Sequence, residues 1–535
     1  MSDKSVITAE AMGEAARFDP QLRVPRRPRV RRGLVISVED GQVVVEGAPK
    51  KQLLRGRSAT EMLPALLDRL DGVRDHAELA REIGVTEDVI FKALSLLWTC
   101  GIIEEAPPAE DLAHEVDDAL ADFLSRVGDS TGANAAWEQA AARLQAARVE
   151  VFGDPFLAEA LCAELGRSMD AVPATGPLPR VETTLVACVG RPDDALAARC
   201  WEKGVPLMRL RLSGRRADLG PMADPQITPC LDCLSAGDVT DDRAPVDGDH
   251  ALAVALFARE LFAAVSRSTT VPLPMRWRSV DLETLAQQDN SSATRPGCER
   301  CSVAGGPVAA RASLAARYEA GVAMPPKEFA DLKAHQMHYK PSNLALQRVA
   351  RTWPVAPAVE LPPPAHERLA TRASASPLGA EELSLMLSVV AGNKAESEQR
   401  VLRWTASGGN IGSVTAYAVV RDVPGVEPGV YGYVGPEHRL ARLSRAADAV
   451  PGGTPLTLVL SGDFPKVAQK YAAFALRIVL LDSGCAQATA REAARALGLR
   501  MALRPAWDDE AVTRVLGVDP DLEPVTAIID LGGGA

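Results

Sequence analysis

Four cysteines in two short pairs carry the clearest chemistry in this chain. Pro229-Cys230-Leu231-Asp232-Cys233 and Gly297-Cys298-Glu299-Arg300-Cys301 each set two thiols three positions apart. Thiolates at that spacing on a knuckle-like turn reach one metal from the same side. Two knuckles complete a tetrahedron of soft ligands, which suits zinc, and with all four positions filled by protein the expected role is structural. A second group lies in the last third of the chain. Arg372 and Ser374 offer a guanidinium and a hydroxyl to a phosphate. Ser407-Gly408-Gly409-Asn410 is a tight polar turn ahead of a strand, able to place donors on a planar heterocycle. Lys470-Tyr471 opens a long apolar run. Both side chains titrate near pH 10 when unperturbed, so base chemistry at neutral pH requires burial or a cationic neighbour to lower the lysine. At helical spacing Lys470, Phe474 and Arg477 share one face, which makes Arg477 a candidate for that neighbour.

The elements that position these residues are legible in outline. A chain of 535 residues exceeds one core, and roughly three or four domains are expected. The net charge of -11 argues against a surface built to coat nucleic acid or anionic membrane. No apolar run has the length of a membrane span, and the first residues lack the apolar core of a signal peptide, so a cytoplasmic protein is expected. Nine cysteines in so long a chain, four of them in the two pairs, point to metal and not to a disulfide framework. Cys100, Cys162, Cys188, Cys200 and Cys485 sit in apolar contexts and read as small buried hydrophobes.

Along the chain, residues 1–22 read as a flexible lead-in, followed by six arginines between Arg23 and Arg32. Two alternating apolar runs flank Asp40-Gly41, a hairpin signal. Three helical patterns follow, the second capped by Asp75 and ended by Gly84, the third capped by Thr86. A hairpin with three short helices is the winged-helix pattern, assigned here to 23–108. The third helix carries Glu87, Asp88 and only Lys92, which disfavours DNA and favours a peptide laid along the hairpin edge and against that helix. Residues 110–148 read as Ala-rich helix; from 148 strands alternate with helices, implying a parallel, Rossmann-like sheet. Its first strand ends in Gly153-Asp154, with no glycine-rich turn to admit phosphates, so nucleotide binding is not expected. Residues 303–365 read as a helical segment ending in a proline-rich linker. The last domain, 366–535, contains strands at TAYAVVRDV, TPLTLVLSG and VTAIIDLG and a helical stretch from Val467 to Leu499.

The order of a Rossmann-like sheet, GPMADPQITPCLDCL and RPGCERC resembles the ThiF-type fold of ubiquitin-activating-like enzymes, in the branch serving thiazole/oxazole-modified peptides. That resemblance covers about 23–302 and implies a winged helix that binds a precursor's leader peptide, ahead of a ThiF-like domain (109–302) with the zinc site. In the last domain, RWTASGGNIGSVTAYAVV, PGVEPGVYGY…HRLARL and Lys-Tyr leading into a helix resemble the nitroreductase-fold azoline dehydrogenases of the SagB/McbC type. The family's second phosphate arginine is Ser376 here, and the proline before its serine turn is Ala406.

Together the resemblances imply a multidomain α/β protein: winged helix, ThiF-type sheet with a four-cysteine zinc site, then a nitroreductase-like α+β domain. They imply FMN held by Arg372, Ser374, Ser407, Gly408, Asn410 and Arg477, with Lys470 and Tyr471 assisting proton removal. The implied activity is FMN-dependent oxidation of thiazolines or oxazolines to azoles in a leader-bound precursor. A YcaO-type cyclodehydratase is the implied partner, and a homodimer through the C-terminal domain the implied assembly. The competing reading is a non-catalytic leader-binding scaffold for that cyclodehydratase.

Overall fold

The computed structural model describes residues 7–20, 22–48, 50–107, 115–269, 273–331, 341–371, 375–397 and 401–534. The chain divides into two compact units, 7–336 and, with the first six residues, 337–535.

The first unit begins with a helix, Ala9–Phe18, where a flexible lead-in was expected. Thr8 caps it, and Met12 is fully buried against the rest of the unit. Gly13 permits its close crossing over the helix Glu87–Thr99, since a Cβ there would lie 2.5 Å from Lys92 Cγ. Sequence gave little warning: the apolar stripe of this helix is short and built largely of alanine. The Asp40-Gly41 hairpin forms as expected, both residues taking positive φ between strands Val35–Glu39 and Gln42–Glu46. A third strand, Gln52–Leu54, joins the other side, so Val35–Glu39 and Gln52–Leu54 are the two edges of this sheet. The first helical pattern splits into Arg57–Glu61 and Leu63–Leu67, with Pro64 near the start of the second piece. His76–Ile83 has the capping box formed by Asp75 and Glu78, and left-handed Gly84 closes it. Strand Pro28–Val30 pairs with Ile103–Glu105. Where one Ala-rich helix was expected, two stand: Asp118–Val127 and Trp137–Ala146.

The expected parallel sheet is present at Asp170–Pro173, Arg148–Gly153, Leu185–Val189 and Leu207–Ser213. Leu185–Val189 is buried throughout, as a strand covered on both faces must be. The sheet then continues with three antiparallel strands that periodicity did not reveal, Arg216–Ala223, Trp277–Asp281 and Gln287–Asn290, and is therefore mixed. Their inner faces carry buried charge, Asp218 bonded to Arg211, Arg216 and Ser279, so they lack an apolar signature.

The second unit is built on an antiparallel sheet ordered 358–360, 439–444, 429–434, 414–420, 456–462, 525–532, 500–503. The helical start expected in 303–365 is present, and only its proline-rich end differs from a bare linker. Residues Leu314–Val322 form a helix in the first unit. Ala358–Glu360, flanked by prolines, pairs with Arg439–Ala441 as an edge strand of the second unit. Proline is compatible with an edge because it leaves no ladder donor unmade. Trp353 packs on Gly432 and meets Tyr417 edge-on at 5.6 Å, so this core begins well before residue 366. Helices Ala380–Ala391 and Ala475–Ala496 contribute to one buried cluster against the sheet. The stretch from Val467 to Leu499 is not one helix. Phe464–Tyr471 ends at Ala472, whose φ of +46° breaks the chain before Ala475–Ala496 starts. Among the described residues no helix is long and apolar enough to cross a membrane.

Candidate functional site

The four paired cysteines converge. Their sulfurs all lie within 4.8 Å of one another, with Cys230–Cys298 and Cys301–Cys233 at 3.6 Å and Cys301–Cys298 at 3.8 Å. Four ligands about 2.3 Å from a tetrahedral centre stand roughly 3.8 Å apart along each edge. Cys230 opens a one-turn helix, Leu231–Leu234, that carries Cys233; Cys298 and Cys301 follow the sheet's last strand. The Arg295 N–H donates to Cys233 Sγ at 3.3 Å, and Arg300 pairs with Asp232 at 3.3 Å. The set could hold a metal, and its all-sulfur chemistry fits zinc. Of the other cysteines, Cys188 and Cys200 are buried, Cys100 and Cys162 half-buried, and Cys485 is exposed, contrary to expectation.

The end of the first parallel strand does not admit phosphate. A Cβ at Gly153 would collide with the Val189 carbonyl, so this glycine serves strand packing. Asp154 accepts from Leu157 N at 3.0 Å and places a carboxylate at the start of helix Pro155–Leu165, where a phosphate would sit.

Three of the six arginines in the run are held in ion pairs. Arg29 bridges Glu104 and Glu138, buried Arg31 pairs with Asp129, and Arg32 pairs with Asp118 and Asp122. Lys92, the one lysine of the third helix, is paired with Glu10 at 2.9 Å and Asp88 at 2.8 Å. These cations are therefore already neutralised within the unit. The edge strand Val35–Glu39 instead exposes Val35 and Val38, at 64% and 60%.

In the second unit, Ser407–Asn410 and Lys470-Tyr471 meet. Gly409 has φ +60°, and a Cβ there would strike Lys470 Nζ and lie 2.7 Å from the Tyr471 hydroxyl. Only glycine lets the backbone approach the pair this closely. Lys470 and Tyr471 are half-buried, and Lys470 Nζ stands 5.2 Å from the Tyr471 ring centre. Burial holds the lysine below its usual range. Burial, reinforced by Asp482, pushes the tyrosine above its own. The break at Ala472 separates Arg477 from Lys470, so their expected shared helical face does not exist; Arg477 lies 5.6 Å from the Phe474 ring centre.

Asp482 was missed, although an acid inside the run IVLLDSG is the signal that finds it. It is buried, accepts from Gly408 N at 2.7 Å and from Ser413 Oγ at 2.6 Å, and so fixes the turn. Burial pushes its carboxyl up, against those two hydrogen bonds. Ser407 Oγ accepts from Gly412 N at 2.9 Å. Asn410, at φ +58°, turns its amide inward to Val401 O at 2.6 Å and Gln347 Oε1 at 3.2 Å. Arg372 and Ser374 lie outside the described residues. Ser376 O accepts from Gly534 N at 3.1 Å, bringing the segment after Ser374 beside the C-terminal glycines.

Residues 374–533 match the Nitroreductase family. Among solved structures the chain is similar to the heterocyclase TruD, with 18% identity over 52% of this chain and 43% of that one, at a TM-score of 0.38. It is also similar to E. coli MccB, with 12% identity over 53% of this chain and 98% of that one, at a TM-score of 0.40. The chain thus spans less than half of TruD. No curated protein matches it.

Proposed function

We propose that the protein is an FMN-dependent oxidoreductase that converts thiazolines or oxazolines in a leader-bound precursor peptide to aromatic azoles. The observation that carries this reading is the meeting of Gly409 with Lys470 and Tyr471 inside a segment that matches the Nitroreductase family. A glycine cradle beside a half-buried cation and phenol fits a planar cofactor. Ser407, Gly408 and Asn410 would border its ring system, with Arg372 and Ser374 on its phosphate and Arg477 nearby. FMN, when bound, supplies the hydride acceptor. Lys470, its pKa lowered by burial, is the group that takes the ring proton. Tyr471 remains protonated at neutral pH and holds the substrate by donating a hydrogen bond. Asp482 keeps the turn rigid through Gly408 and Ser413. Zinc on the four cysteines is structural in this reading.

The leader site is placed on the hairpin edge Val35–Glu39, where an added strand gains main-chain hydrogen bonds. Because helix Ala9–Phe18 already covers part of the third helix, the anchors left for a leader include Val35, Val38 and Val89. A Val38→Asp change should weaken binding of a labelled leader by roughly tenfold, about 1.4 kcal/mol, by fluorescence polarisation. Unchanged affinity would remove the leader from this edge. Tethering leader and oxidase in one chain raises the concentration of each azoline at the site. A YcaO-type cyclodehydratase would supply those azolines.

The C-terminal unit is proposed to dimerise. In the run Ile478-Val479-Leu480-Leu481, Val479 is buried while Leu480 and Leu481 are 51% and 58% exposed, an apolar face unsuited to water. Leu480→Glu with Leu481→Glu should turn a dimer into a monomer by light scattering. A wild-type monomer would count against the shared flavin site as well.

One observation favours the scaffold reading: Asn410 spends its amide donors inside the protein. The absorbance spectrum of purified protein separates the two. A yellow protein supports the oxidoreductase; one that stays colourless after incubation with FMN supports a leader-binding scaffold.

A further inference from the structure

The turn that meets Lys470 at Gly409 has a second neighbourhood at its other end. Gly412 has φ +70°, and a Cβ there would lie 2.7 Å from Arg403 Nε. Arg403 is bonded only to neutral acceptors: Nε to Asn410 O at 3.4 Å, Nη1 to Asn393 Oδ1 at 2.8 Å, and Nη2 to the carbonyls of Gln347 at 2.5 Å and Ile411 at 3.2 Å. Lys466, 6% exposed, donates to the carbonyls of Val349 at 3.0 Å and Gly412 at 2.7 Å. A guanidinium has five N–H groups and an ammonium three, so among the described residues each cation keeps one N–H to give.

Both cations line a small cavity of about 40 Å³ that opens to solvent, together with Arg348 and Arg351, and among the described residues no aspartate or glutamate lines it. Among the described residues the acids around it are already engaged, two of them by its own Arg348 and Arg351. Asp482 holds Gly408 and Ser413, and Asp463 caps the helix at Lys466 N. Glu396 pairs with Arg348 at 3.4 Å; Glu523 pairs with Arg351 at 3.7 Å while accepting from Tyr417 and Ser461. Burying cations against carbonyls alone is costly. The strain registers in both groups: burial lowers Lys466 to about 8 and holds Arg403 below its usual range.

We infer that this cavity is a binding site for the oxyanion of a small organic ligand, a carboxylate or a phosphate group. An oxyanion takes the spare N–H groups of Arg403 and Lys466, compensates their charge, and meets Arg348 and Arg351 near the cavity wall. The site uses none of the residues expected to hold the flavin, and it does not depend on the flavin reading. It adjoins the 407–412 turn through Gly412, so occupancy should stiffen the segment that faces Lys470.

The test uses the full-length protein as purified, titrated in parallel with inorganic phosphate and with acetate, followed by calorimetry and thermal unfolding. Saturable binding of at least one anion, with a raised unfolding midpoint, is expected. A preference for phosphate identifies a phosphorylated ligand, and a preference for acetate a carboxylate. The Arg348→Gln/Arg351→Gln double variant should bind roughly tenfold or more weakly. Because the double variant loses two ion pairs and could fold poorly, Lys466→Met gives a second reading: it should abolish the anion's effect on the midpoint. No saturable binding of either anion, or binding unchanged in the double variant or in Lys466→Met, overturns the assignment.

Discussion

Cys298→Ser is expected to empty the four-cysteine site and to destabilise the 7–336 unit by several kcal/mol. Three of the six sulfur separations are 3.6–3.8 Å, close to the edge of a tetrahedron around zinc, and all lie within 4.8 Å, so the set needs its fourth thiolate to enclose the ion. Structural zinc binds such sets with about 10–16 kcal/mol in small peptides, and much of that is folding free energy. Here the metal would join the turn after Ala223 to the turn after the last strand, closing a long loop that holds helix Asp249–Ser266 and strands Trp277–Asp281 and Gln287–Asn290. Without metal, two thiolates packed this closely would repel each other. Elemental analysis should find about one zinc per chain in wild type and essentially none in the variant. Thermal unfolding should show the loss confined to the transition of the 7–336 unit, and a strong chelator should reproduce it. Wild-type protein that is metal-free and fully folded sinks the claim.

Lys470→Ala is expected to slow azoline oxidation by about 10²–10⁴-fold, the range for loss of a positioned base. Removing a ring proton as hydride departs needs a neutral amine near the substrate. Burial supplies it: the lysine sits below its ordinary value of 10.5, with no acid among the causes to restore it. The sign follows. The neutral fraction grows with pH, so the wild-type rate should rise through a pKa below 10.5, and Lys470→Ala should lose that limb of the profile. Tyr471→Phe removes a donor and not a base, so a smaller loss with the pH limb retained is expected. The measurement is loss of the mass of two hydrogens per ring on a cyclised precursor, with flavin content checked for each variant. Full activity in a flavin-loaded Lys470→Ala protein defeats the assignment of the base and leaves the flavin reading standing.

Local rules made much of this protein legible before its fold was known. The paired cysteines named a metal site because two thiols per knuckle need no tertiary information to share an ion. Asp40-Gly41, the Asp75–Glu78 capping box and Gly84 fixed a hairpin and a helix because turn and cap chemistry acts over four residues. The buried parallel strands showed as apolar runs, and the Ser407 turn and Lys470-Tyr471 were visible as polar groups on apolar ground. Other features depended on partners distant in sequence. Helix Ala9–Phe18 is held by burial of Met12 against residues more than seventy positions away, which no local pattern encodes. The proline-rich 354–364 segment looked like a linker because an edge strand's identity lies in its neighbour, Arg439–Ala441. The break at Ala472 has no glycine or proline to announce it, so the face shared by Lys470 and Arg477 was read from a helix that does not continue. Asp482, Arg403 and Lys466 gained their roles only when folding removed water from them. Desolvation is a property of the surrounding packing, and so the tertiary structure alone decided which charges could fix the turn, lower a lysine and set Arg403 and Lys466 on carbonyls at the wall of a cavity.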